Sequence, residues 1–419
     1  MGFASEWLNS GALFPRLITE APDKDTGIIV VVPSYDEPGI TTLLDSLSEC
    51  TPSECGAEVI IVVNAPAEAE STSLKNNVLT IRNIETWKEV NKSFFRVFVI
   101  DAGQPSVKGW GVGMARKTGM DEALRRFDIL DYEDGIIANA DADCRVATDY
   151  FIALESDFLK KKGGKGCSIF FEHPLEGDEY PEEVYHSVRQ YELHLRYYCQ
   201  ALRYAGFPNS FQTVGSSLAV RALAYMKAGG MNRRQAGEDF YFIQKLVAGG
   251  GYFNLNSTTV YPSPRVSGRV PFGTGAAVGK MISDGEKTYM TYDPRAFTDL
   301  KSFFLICESV REYREKQLHS LYKNFPQSVR SFMPEDEWTG KVFEIKNNTS
   351  SREAFRKRFY DWFNMFRVVK YLNFTHQGIF TKIPACEAAL MFISLAYSIE
   401  YEGNEIEMIG YLRDSERRF

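Results

Sequence analysis

Two runs of β-branched residues, Gly27 to Val32 (GIIVVV) and Glu58 to Val63 (EVIIVV), do most to limit what this chain can fold into. Neither alternates apolar with polar residues, so each reads as a strand covered on both faces. Each run also stops at polar residues, PSYDEPG after the first and Asn64 after the second, and a helical pattern through Ile40, Leu43, Leu44 and Leu47 follows the first. Arg96 to Ile100 repeats the scheme, ends at Asp101 and opens onto AGQPSVKGWGVG, before a helix with Met114, Ala115, Met120, Ala123 and Leu124 at helical spacing. A fourth strand ends in IIANADADC, residues 136–144. Strands alternating with helices predict an α/β fold, a mostly parallel, Rossmann-like sheet flanked by helices. Ligands of such sheets gather at the carboxyl ends of the strands, where every polar cluster just named lies.

Asp141 and Asp143 stand where the fourth strand gives way to a loop. Strand alternation sends both carboxylates to one side. There they repel unless a cation or an arginine lies between them. A hard divalent metal, Mn2+ or Mg2+, is the simplest such partner, because these ions take oxygen ligands and are commonly held by one or two carboxylates together with substrate phosphates. The competing reading is a solvated turn, which Asp favours on its own account, so the rest of the chain must decide. A dinucleotide fingerprint in GWGVG fails in both registers, with Met114 or Arg116 where the third glycine belongs.

With 44% hydrophobic and 25% charged residues among 419, the composition is that of an ordinary globular protein. A net charge of -7 argues against a nucleic-acid partner, leaving room only for a local basic pocket. The seven cysteines show no CxxC or Cys/His spacing, which fits thiols in a reducing compartment. The first residues lack a secretory pattern, Glu6 breaks the myristoylation pattern, and the apolar stretch Ala385 to Tyr397 is too short to span a bilayer. The expected location is cytoplasmic, with contact at the inner face of the membrane as a further option.

Four motifs in order resemble the inverting glycosyltransferases of family 2, which have the GT-A fold. VPSYDE (Val32 to Glu37) looks like that family's opening strand and nucleotide loop, and the segment around Ala115, Arg116, Lys117, Thr118 and Gly119 resembles its A-R-N-x-G, with Lys117 in place of Asn. DAD is similar to its metal-binding D-x-D, and GEDFYFIQKL (Gly237 to Leu246) to its E-D motif at a helix start. The resemblance covers roughly 27–275. It implies a nucleoside diphosphate sugar donor framed by Pro33, Ser34, Tyr35, Glu37 and Asn64, with Lys108 and Arg116 near the nucleotide, and Asp141 and Asp143 on the cation. It also implies an acceptor site bordered by Gly215, Ser216 and Ser217. Asp239 would be the general base, its carboxylate kept ionised at a helix N-terminus, and Glu238 a cap or acceptor contact. Both acids also simply suit a first helical turn.

Arg265 and Arg269, in the irregular stretch PSPRVSGRVPFGTG, are placed to clamp the departing diphosphate; the bland alternative is a solvated surface turn. Asn64 stands where many family members carry a base-reading Asp, which leaves uridine favoured over guanosine by a lean only. Among the aromatics of 180–211, most are expected in packing, with one or two at a saccharide or other hydroxyl acceptor. His173, ending the strand CSIFFEH, is expected to be a structural hydrogen-bonder. The organisation read from this is a catalytic domain over 1–290, with a nucleotide-sugar half at about 27–145 and an acceptor half at about 146–290. A helical region over 291–419 follows. There Phe355, Phe359, Trp362, Phe366 and Val369 fall on one basic helical face. It would pack on the catalytic domain or a second copy in a homodimer, or else lie on an anionic membrane. Two rival functions are a sugar nucleotidyltransferase, which would carry a basic glycine-rich loop where PSYDEPG is acidic, and a nucleotide-sugar-binding scaffold without catalysis.

Overall fold

The structure is a computed structural model that describes residues 2–104, 110–233, 237–269 and 271–419. The chain forms two compact units, the first comprising Met1–Tyr185, Thr213–Lys280 and Arg417–Phe419, the second His186–Gln212 and Met281–Glu416. Residues 186–212, which the sequence reading groups with the acceptor half, thus belong to the second unit.

The first unit is built on an eight-stranded sheet among the described residues. Its strands are β1 (Thr26–Ser34), β2 (Gly56–Asn64), β3 (Phe95–Gly103), β4 (Ile136–Asn139), β5 (Arg145–Val146), β6 (Gly166–Phe171), β7 (Leu218–Arg221) and β8 (Tyr252–Tyr261), in the order β3-β2-β1-β4-β7-β6-β8-β5. The first four run parallel, as do β6 and β8, while β7 and β5 run against their neighbours. Every residue of β1 is buried, as an uninterrupted apolar run requires. Its helices are α1 (Ser5–Gly11), α2 (Thr41–Ser48), α3 (Ser71–Val90), α4 (Val112–Ile129), α5 (Tyr150–Lys160), α6 (Glu182–Tyr204), α7 (Ala222–Lys227), α8 (Glu238–Ala248) and α9 (Thr274–Asp284), with most of α6 and the end of α9 in the second unit.

Helix α4 is buried nearly all round, which an amphipathic pattern does not announce. Its apolar side meets the sheet so closely at Gly119 that a β-carbon there would stand 2.5 Å from Val31 Cγ1. Its polar side is covered by the N-terminal segment. Asp128 accepts from Ala4 N at 2.6 Å, Asp121 from Leu13 N at 3.0 Å and Glu122 from Ile18 N at 3.1 Å. Lys117, the departure from the family pattern, is turned to this side and pairs with Asp121 at 2.9 Å beside the Trp7 ring. Four buried charged side chains, Lys117, Asp121, Glu122 and Arg126, are therefore satisfied by a strap of backbone and by partners such as Glu58.

The second unit is helical: α10 (Pro294–Ser309), α11 (Glu315–Lys323), α12 (Gln327–Phe332), α13 (Glu335–Asn347), α14 (Arg352–Trp362), α15 (Met365–Thr375), α16 (Ala385–Tyr397) and α17 (Glu405–Arg417), with a small ribbon of β9 (Met290–Thr291) and β10 (Ile383–Pro384). These helices are shorter than the pattern suggests. The basic aromatic face read as one helix is broken at Phe363, and Asn364 caps the next helix through Arg367 N at 3.3 Å. Phe355, Phe359 and Phe363 are buried. Among the described residues, no helix is long and apolar enough to cross a membrane.

Candidate active site

The polar residues cluster, as the topology predicts, beyond the carboxyl ends of β1, β2 and β4. The aspartates do not sit on a strand: β4 ends at Asn139, and Asp141 and Asp143 lie in the turn that follows. Strand alternation therefore does not orient them. Arginines do. Arg116, 3% exposed on α4, donates from Nη2 to Asp141 Oδ1 at 2.7 Å and from Nη1 to Glu238. One guanidinium thus joins the acids of the D-x-D turn to those of α8. Gly215 makes room for it, since a β-carbon at that position would stand 2.9 Å from both Nη atoms. Gly215 is a wall of the Arg116 pocket.

A second arginine group closes the other side. Arg265 donates to Asp143 Oδ2 at 2.7 Å and pairs with Glu37, while Arg269 reaches Glu37 at 3.1 Å, the Tyr35 carbonyl at 2.8 Å and Asp143 at 3.5 Å. The loop carrying them, read as irregular, is irregular over its described residues, and both side chains are partly buried. They are docked on the β1 loop and are not free in solvent.

Glu238 and Asp239 open α8 behind Gly237, whose φ of 69° lies in the left-handed region that favours glycine. Glu238 is buried, and desolvation pushes its carboxyl up to about 7, with Arg116 opposing and Asp239 adding. Asp239 is raised by desolvation against the pull of Arg116, and its Oδ1 accepts from Phe240 N at 2.7 Å. Desolvation likewise raises Asp141, Arg116 opposing and Asp143 adding.

Asn64, expected to frame the donor base, ends β2 and also supports the loops around it. It is buried; its Oδ1 accepts from Trp110 Nε1 at 3.0 Å and its Nδ2 donates to the Ser34 carbonyl at 2.9 Å. Pro33 is buried within β1, paired with Val62. Ser34 and Ser217 hold hydroxyls that are buried without a hydrogen-bond partner among the described residues, and Ser216 is buried beside Cys144. Such orphaned hydroxyls are open to a ligand or water. Lys108 lies outside the described residues. His173 is buried and bonded to Thr274 Oγ1 at 2.9 Å.

Two residues of this site escape a sequence reading. Trp110 is flanked by glycines in GWGVG, which draws attention to the glycines and away from the indole. Asp36 has φ 55°, rare for a residue with a side chain, and is held there by Asn76 Nδ2 at 2.6 Å, Ser73 Oγ at 3.1 Å and Asn77 on its backbone N–H at 2.9 Å. The only sequence signal is an Asp before Glu-Pro-Gly.

As to a metal, Asp141 and Asp143 each keep one carboxylate oxygen without a hydrogen bond among the described residues. These are hard donors of the kind Mg2+ and Mn2+ accept. No group of three or more His, Cys, Asp or Glu able to hold a metal occurs among the described residues. Two carboxylates completed by phosphate and water remain a sufficient set.

The site is thus an arginine-bridged carboxylate cleft at the carboxyl edge of an α/β sheet. No family model matches the chain, and no curated protein matches it. Among solved structures it is similar to Staphylococcus aureus TarS 1-349 in complex with UDP-GlcNAc, at 13% identity and a TM-score of 0.38, covering 80% of this chain and 91% of that one. It is also similar to the mannosyltransferase PcManGT from Pyrobaculum calidifontis in complex with GDP-Man and Mn2+ (15%, 0.38, 99% and 92%). A third likeness is to glucosyl-3-phosphoglycerate synthase from Mycobacterium tuberculosis with Mg2+ and UDP (17%, 0.35, 55% and 69%).

Proposed function

We propose that this cleft transfers a sugar from a nucleoside diphosphate donor to a hydroxyl acceptor with inversion, as a GT-A enzyme of the family 2 kind. The observation that carries the reading is Arg116, whose single buried guanidinium touches both Asp141 and Glu238. A site for displacement at an anomeric carbon needs charge control on the leaving side and a base on the attacking side, held in fixed relation. Arg116 supplies that relation.

Asp239 takes the proton of the acceptor hydroxyl; the oxygen bonds to the anomeric carbon as the bond to the diphosphate oxygen breaks, and the electron pair leaves with the diphosphate. Arg265 and Arg269 are within reach of that leaving charge once they release Glu37 and Asp143. Five carboxylates (Glu37, Asp141, Asp143, Glu238 and Asp239) face three guanidiniums, so with all groups ionised the cleft repels a diphosphate. A divalent cation on Asp141 and Asp143 would offset that repulsion and act as a Lewis acid toward the leaving diphosphate. Ser34 and Tyr35 line the donor side, and Ser216 and Ser217 the acceptor side. The donor favoured is a uridine diphosphate sugar, with Asn64 beside its base.

The test is a panel of nucleotide sugars, assayed for donor hydrolysis and thermal stabilisation with and without Mn2+. Metal-dependent stabilisation by one class of donor is expected. A panel without any response would sink the proposal.

A further inference from the structure

The second unit carries a row of rings. Helix α6 presents Tyr191, His194 and Tyr198 three and four residues apart, hence on one face. Facing them, the β9 segment presents Tyr289 and Tyr292. The His194 ring lies 4.8 Å from that of Tyr289, Tyr191 5.4 Å from Tyr289, and Tyr198 6.0 Å from both His194 and Tyr292. All five rings are only half-buried, unlike the phenylalanines of the neighbouring core. The exposed Lys382 stands 5.2 Å from the centre of the Tyr292 ring and forms no ion pair among the described residues.

Rings placed only for packing are fully covered, as Phe303, Phe304, Phe359 and Phe363 are in the same unit. These instead keep partial access to solvent and have polar tips. The Tyr289 hydroxyl makes no hydrogen bond among the described residues, Tyr292 bonds to Asn373 at 2.8 Å, and His194 Nδ1 is fixed by Thr291 Oγ1 at 2.7 Å. Desolvation among the rings, with Lys382 adding, lowers His194 to about 4, so it is a neutral ring at ordinary pH. Tyrosines offer large, rigid, amphipathic contact area at little entropic cost. Pyranose rings present the complementary surface, a patch of C–H groups rimmed by hydroxyls. A basic peptide is disfavoured by Lys382, and a purely apolar partner would leave the Tyr289 hydroxyl and the Lys382 ammonium unpaired.

We propose that Tyr191, His194, Tyr198, Tyr289, Tyr292 and Lys382 form a saccharide-binding platform, a second carbohydrate site that holds a chain of hexopyranose units by ring stacking. It goes beyond the transfer reaction proposed for the first unit and stands without it. The full chain, free of nucleotide, is titrated calorimetrically with a panel of oligosaccharides built from glucose, mannose, galactose and N-acetylhexosamines. At least one is expected to bind, with Tyr289→Ala weakening it tenfold or more, Lys382→Ala severalfold, and Asp239→Asn leaving it unchanged. If Tyr289→Ala does not fold, Lys382→Ala and Tyr289→Phe carry the test. A panel without binding, or binding that survives both Tyr289→Ala and Lys382→Ala, overturns the platform. Loss of binding in Asp239→Asn alone also overturns it, by placing the saccharide in the cleft of the first unit.

Discussion

Arg116 Nη2 lies 2.7 Å from Asp141 Oδ1, with the arginine 3% and the aspartate 41% exposed, so a buried cation anchors a half-open anion. Removing the buried partner leaves Asp141 and Glu238 without their common counter-charge. Breaking such a pair typically costs about 3–5 kcal/mol. Arg116→Met is expected to melt well below the wild type and to lose transfer activity, while Arg116→Lys, able to reach only one acid at a time, keeps the fold and loses most turnover. Thermal melts and initial rates on the two variants check this.

Asp239→Asn removes the proposed base and nothing from the donor side. General bases typically contribute about 10²- to 10⁴-fold. Turnover should fall within that range with donor affinity unchanged, as read by rate assays beside nucleotide-sugar titrations. Retained turnover would assign the proton to another group.

The raised carboxyls make the donor-free protein pH-sensitive. Glu238 holds its proton up to about 7 in the folded state and near 4.5 in the unfolded chain, so between these values the folded state binds more protons. Stability contributed by this group is therefore present at the acid end and lost as pH rises through the window. Melting temperatures across pH 4.5 to 7 should fall more steeply for wild type than for Glu238→Gln. Transfer, which needs Asp239 ionised, should rise with pH as that raised carboxyl gives up its proton.

Gly215→Ala places a methyl group where the Arg116 guanidinium now lies. The sheet does not depend on it. Expected are a native circular dichroism spectrum and a loss of activity approaching that of Arg116→Lys, which rate measurements on the purified variant decide.

Arg265→Ala with Arg269→Ala leaves Glu37 and Asp143 facing an incoming diphosphate without their guanidiniums. A hydrogen bond to a charged group is worth about 1.5–3 kcal/mol, so donor affinity should drop at least tenfold, and more at low salt than at high salt. Titration of the nucleotide sugar at two ionic strengths tests it.

The parallel sheet was readable because Ile28 to Val32 and Val59 to Val63 leave no polar face for water, and burial on both sides has few architectural solutions. Arg116, the acids and the loop arginines were readable by type and order. What was not readable is contact. Nothing in the linear chain shows that Asn64 bonds Trp110 and Ser34, that a side chain at Gly215 would meet Arg116, or that Asp141 and Asp143 leave the strand before they could alternate. The buried polar side of α4 was hidden for the same reason: its cover is made by residues more than a hundred positions away. The break at Phe363 turns on one cap, Asn364, inside an otherwise continuous helical rhythm.

That cover has a temporal consequence. Residues 4–18 leave the ribosome before the helix they lie on has been synthesised, and until then only water meets the amides of Ala4, Leu13 and Ile18 that α4 will bind. They form an early, unclaimed thread whose accessibility to a protease counts down the arrival of α4. A cut within them, in nascent chains or in variants, would mark the molecules in which Arg116 has yet to be set.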